Sequence, residues 1–183
     1  MNPYCIGGVD VKLHAHGIRD ELNAVLGHPL YPLGEAVQRL QEERSLLMEE
    51  WNELFVLTRS IIRHRNSRSH EGEIRWLKEK AEDFREDLRC HAAWAEEQLR
   101  PLLERALDNA SGRPDDLQAV IRSAEDGLEQ FIAVFGAAAS DPVRVREISE
   151  RLPRAARAFD GLFRLEGELL DELWARTDAD GAG

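Results

Sequence analysis

Four polar residues sit in or beside runs of apolar residues spaced three and four apart, where a polar side chain needs a partner. Arg44 takes the step between Leu40 and Leu47, His91 the step between Leu88 and Ala95, and Glu166 the step between Leu162 and Leu169; Glu125 borders the run containing Ala124 and Leu128. A charge buried alone is unfavourable by on the order of several kcal/mol. If the four positions share one level of a helical core, a guanidinium, an imidazole and two carboxyls would face one another and could neutralise their charges. Other combinations carry other chemistry. His91 with Glu96, Glu125 and Glu166 makes a carboxylate-rich set suited to a metal ion, and His91 beside Glu166 has the make-up of a general base. Each residue also has a plainer explanation, since Arg44 can run its stem along apolar surface, Glu125 can face water, and a histidine on an apolar stripe often serves as hydrogen-bonded filler.

The elements that would position these residues are helices. From Glu35 onward no segment alternates with the period of a strand, and apolar residues recur at helical spacing through four long stretches. The first, about 33–64, carries Val37, Leu40, Leu47, Trp51, Leu54 and Ile61, with Glu42, Glu43, Glu49, Glu50 and Glu53 mostly beside the stripe. The second, about 73–108, carries Leu77, Ala81, Phe84, Leu88, Ala95, Leu99 and Leu102, with a kink expected at Pro101 because proline removes a backbone donor. The third, about 115–136, buries Leu117, Ile121, Leu128, Phe131 and Phe135 and is expected to be capped by Asp115. The fourth opens at Asp141 and Pro142, passes a distortion at Pro153, and ends near Thr177. Short connections join only neighbouring helix ends, so the expected fold is all-α, an up-down-up-down four-helix bundle. It occupies 33–177, after an N-terminal arm with a short helix (1–32) and before a disordered tail (178–183).

Composition narrows the partners. The chain has 183 residues, enough for one domain with a real core, and 35 acidic against 24 basic residues give a net charge of -11. That field repels phosphate backbones and anionic membranes, so neither nucleic acid nor a membrane is an expected partner. No stretch reaches the roughly 18 apolar residues of a membrane span, and the N-terminus lacks a basic region followed by an apolar core. A cytoplasmic location is expected. Cys5 and Cys90 are too few and too far apart for a disulfide framework and are expected as structural thiols.

The segment FREDLRCHAAWAEEQLRPLLERAL resembles the second helix of hemerythrin-like domains, with a leucine-spaced His, a Glu-Glu pair about one turn later, then Leu and Pro. LQEERSLLMEEWNEL is similar to that family's first helix, with Arg44 at the His position. AEDGLEQF is similar to the third, with Glu125 in place of the His, and FRLEGELLDEL to the fourth, with Leu165 or Glu166 at the equivalent place. The resemblance spans about 33–176. It implies a bundle holding a non-heme di-iron centre that binds oxygen, senses redox state or stores iron. Only His91 stands where a family histidine would, Ala95 replaces the carboxylate four residues later, and Glu96 is displaced by one. Arg44 cannot ligate iron, because a guanidinium has no free lone pair, and its fixed charge would repel a cation at a few Å. The expected state is therefore metal-free, with Arg44, His91, Glu125 and Glu166 as a core polar network and a binding or regulatory role toward a protein or small-molecule ligand. The alternative keeps non-heme iron on His91, Glu96, Glu125 and Glu166.

Other chemistry finds less support. No His follows a Glu by three, as ferritin-like carboxylate sites require. His14 and His16 would project from different faces of a helix, and with His28 they read as solvated. The basic stretch around Arg59, Arg63, His64, Arg65, Arg68 and His70 reads as an inter-helix loop open to an anion or acidic partner. There is no glycine-rich phosphate loop and no nucleophile elbow.

Overall fold

Apolar stripes of helical period can be removed from water only by packing helix on helix, and the computed structural model shows that outcome. It describes residues 31–64, 71–107, 113–136 and 141–180. All described elements are helical. They are α1 (Tyr31–Arg63), α2 (Glu71–Trp94), α3 (Arg100–Ala106), α4 (Arg113–Ile132) and α5 (Asp141–Asp180). A π turn over Ala95–Leu99 joins α2 to α3, and a 3₁₀ turn over Ala133–Gly136 ends α4. The N-terminal arm, including His14, His16 and His28, lies outside the described residues, as do residues 65–70 of the basic loop. Among the described residues no helix is long and apolar enough to cross a membrane.

Each long helix packs against its neighbours in sequence, and α1 also packs against α5, which closes the ring of four. Contacts between α1 and α2 run in opposite senses along the chain, for Glu43 meets His91 while Glu53 meets Lys80. Among the described residues the buried apolar side chains form one cluster. At one level Trp51 stacks on Phe159 with ring centres 4.4 Å apart, and Phe84 lies 5.1 Å from Phe159. Phe84 and Phe159 stand about two helical turns before His91 and Glu166 respectively, so the aromatic layer seats α1, α2 and α5 in one register.

Several boundaries differ from expectation. The disturbance expected at Pro101 takes the form of the preceding π turn, in which the Arg100 N–H bonds the Ala95 carbonyl five residues back. Proline cannot donate and its ring crowds the carbonyl four residues earlier, and a widened turn relieves that crowding. Pro114 is tolerated in the first turn, so α4 starts at Arg113 rather than Asp115. α5 runs unbroken through Pro153 and continues to Asp180, three residues into the expected tail.

Where α4 crosses α5, Gly127 lets the backbones approach. A Cβ there would lie 3.3 Å from the Ala155 Cα and 3.4 Å from the Ala158 Cβ. Gly161, also mid-helix, has open space around it. Gly127→Leu is therefore expected to lower the unfolding free energy by about 1–3 kcal/mol through overpacking. Gly161→Ala should raise it by roughly 0.5–1 kcal/mol through helix propensity. Urea denaturation of the two variants checks both signs.

Candidate functional site

The polar centre of the bundle is built on one imidazole held between two carboxyls. His91, only 2% exposed, projects from the last turns of α2 and directs Nε2 to the Glu166 Oε1 of α5 at 2.7 Å and Nδ1 to the Glu43 Oε2 of α1 at 2.8 Å. Carboxylate oxygens only accept, so both ring nitrogens carry hydrogens and donate. The second oxygen of Glu43 takes the Arg39 Nε–H at 2.7 Å. The Arg39 guanidinium in turn lies 4.7 Å above the Trp94 ring, and Trp94 packs 5.9 Å from the imidazole. Glu166 is completely buried, and its Oε2 receives no hydrogen bond.

The electrostatics follow from this geometry. Burial alone would push the His91 imidazole down, but hydrogen bonds to Glu166 and Glu43 and the charges of both outweigh it, raising His91 from 6.5 to about 9. Burial would likewise raise Glu43, yet the hydrogen bonds and positive charges of His91 and Arg39 hold it below its ordinary 4.5. An imidazolium thus bridges α1 and α5 through the interior.

The structure brings His91 and Glu166 together and separates the other expected members. Arg44 is not in the centre. Its Nε–H donates to the Phe163 carbonyl of α5 at 3.1 Å, and its Nη2 lies 3.4 Å from where a Cβ of Gly167 would be. The physical reason is charge, because a guanidinium beside an imidazolium is repelled while the neighbouring Glu43 is attracted. Glu125 is half-buried on α4 and is neither of the two groups that meet the His91 ring. Glu96 is exposed on the π turn and pairs with Arg100 at 3.5 Å. Cys90, expected as a thiol, is disulfide-bonded.

Glu43, Arg39 and Trp94 are the site residues that sequence reasoning missed. Glu43 is three residues after Leu40 and Arg44 three before Leu47, so spacing alone admits either on the inner face. Complementarity to His91 was the available signal, together with Arg39 one turn before Glu43. Trp76 and Trp174 are partly exposed, at 52% and 45%.

An iron centre fits these residues poorly. A metal ion needs a bare imidazole nitrogen with carboxylates gathered on the same side, whereas here both nitrogens donate and the two carboxyls flank the ring. Among the described residues no group of three or more His, Cys, Asp or Glu side chains could hold a metal ion. No family model, curated protein or solved structure matches the chain.

The fold of His91 has a predictable pH signature. A folded-state value of about 9 against 6.5 means its stabilising effect is fully present below pH 6.5 and lost as pH rises toward 9. The difference corresponds to about 3 kcal/mol at most. Denaturation midpoints should fall across that window in the natural protein, and His91→Gln should flatten the fall. His91→Ala, which leaves two carboxyls facing each other in the core, should lower stability by about 3–5 kcal/mol at pH 6.5.

Proposed function

We propose that this protein is an up-down-up-down bundle of the hemerythrin-like kind in which an ion network has replaced the di-iron centre, and that it acts by binding rather than by catalysis. One observation carries the reading: both nitrogens of His91, the one buried histidine among the described residues, are committed to carboxyl oxygens. An imidazolium held in this way has no lone pair for a metal and no bare nitrogen for taking a proton from a substrate. The polar centre then acts as a structural clamp on three helices.

The binding role rests on the outer side of α1. A groove of about 1100 Å³ runs there between Arg44 and Ser60, lined with Met48, Val56 and Leu57 and bordered by Trp76 and Lys80 of α2. Val56 is 66% and Trp76 52% exposed, more apolar surface than a solvated helix face requires.

A second reading keeps a metal and is favoured by the buried, unpartnered Glu166 Oε2. In it, His91 would give up one hydrogen bond and a proton so that a cation could take its place beside Glu166.

Anaerobic titration of the chelator-treated, tag-free protein with iron(II), and separately with zinc(II), distinguishes the two. The ion-network reading expects no binding at one or two equivalents in the micromolar range. Stoichiometric uptake that His91→Ala abolishes would establish the second reading instead.

A further inference from the structure

The exposed apolar side chains of the bundle gather on one side. Of the five large apolar residues that stand exposed among the described residues, four border α1: Val56 and Trp76 in the groove described above, Leu46 and Trp174 in a second groove of about 650 Å³ beside it. The two grooves meet at Ser45 and Glu49, which line both. Gly34, Gln38, Ser45, Glu49, Val56 and Ser60 follow one another at steps of four and seven residues, so the grooves lie end to end on a single face of α1. At about 1.5 Å per residue that strip is roughly 40 Å long, with Trp174 of α5 in one half and Trp76 of α2 in the other.

The charges along the strip are mainly negative. It carries Glu42, Glu49 and Glu53 from α1. Its two cations are already engaged, for Lys80 pairs with Glu53 at 2.8 Å and Arg44 turns its guanidinium to the Phe163 carbonyl of α5. Glu42 accepts from the neutral Gln38 amide at 2.9 Å, and neither it nor Glu49 pairs with a cation among the described residues. Two apolar halves thus flank a middle with uncompensated negative charge, on a chain whose net charge is -11.

We propose that this strip is the docking surface for a basic amphipathic helix of a partner protein, laid along α1 with its apolar face on Leu46, Met48, Val56 and the two indoles and its lysines or arginines beside Glu42 and Glu49. The inference rests on reading the α1 groove as a binding site, and names what binds. A straight, shallow channel with apolar patches at helical spacing suits a helix laid lengthwise. The acids set its charge, and the field of the whole chain draws a cationic segment toward it. Partly exposed indoles add faces on which lysine or arginine can rest. A second copy of this chain suits the strip less well, because the same face on both partners would set the acid row against itself.

The probes are two labelled peptides of about 20 residues with leucine on one helical face and, on the other, lysine in one and glutamate in its counterpart. Each is titrated with the full chain at physiological salt and followed by fluorescence anisotropy. The lysine peptide should bind at micromolar concentration, about tenfold or more tighter than the glutamate peptide. Val56→Asp and Trp174→Ala, exposed positions in opposite halves of the strip, should each weaken it about tenfold without unfolding the bundle. Glu42→Lys with Glu49→Lys should reverse the preference between the peptides, whereas Glu86→Lys with Glu97→Lys, exposed acids outside the strip, should preserve it. No binding of the lysine peptide, or strip variants that weaken it no more than the Glu86 and Glu97 pair does, overturns the proposal. Equal binding of both peptides that Val56→Asp abolishes would keep the groove as a site and overturn its basic partner. A dimer of the free protein in sedimentation velocity that Val56→Asp dissolves would assign the face to a second copy instead. The ion-network reading stands or falls separately, on the iron and zinc titration.

Discussion

A protonated imidazole in the apolar interior must have a negative neighbour for its charge, and in this bundle it has two on different helices. That requirement constrains the rest of the core. His91 can keep both hydrogen bonds only if α1 and α5 flank α2 at the depth where Glu43 and Glu166 meet it. A slip of one residue in any of the three would turn a carboxyl away and leave a buried charge uncompensated. Apolar packing alone is more permissive, because leucines and phenylalanines at neighbouring steps substitute for one another with modest loss. The aromatic layer of Trp51, Phe84 and Phe159 provides bulk two turns away, while the ion network specifies the register. Beyond the network, Arg44 crosses from α1 to a carbonyl of α5 over the side-chain-free surface of Gly167.

The network and a metal centre make incompatible demands on the same imidazole. Ligation takes a neutral ring with a nitrogen lone pair, and flanking carboxylates favour the opposite state by stabilising the positive charge. Arg39 strengthens this outcome by fixing Glu43 from the other side, with its own guanidinium set against Trp94. The remaining Glu166 oxygen is the one polar atom of the clamp without a partner.

The helices were legible in the sequence because their apolar residues recur at a period no strand can match. Their ends were less so, since Pro101, Pro114 and Pro153 act differently according to local context: one accompanies a π turn, one sits in a first turn, and one is accommodated in a continuing helix. At the site, His91 and Glu166 stood out because each interrupts a run of leucines. Arg44 stood out equally and was misplaced. Period analysis resolves a helix face to within about one residue, about 100°, and Glu43 and Arg44 differ by that step. Only the sign of the charge opposite decides between them.

Nitrogen-15 NMR of the His91 ring, assigned by its disappearance in His91→Gln, tests the central claim most directly. Both ring nitrogens should be protonated at pH 7 and should titrate together near 9. A neutral ring at pH 7, with one nitrogen bare, would contradict the ion clamp.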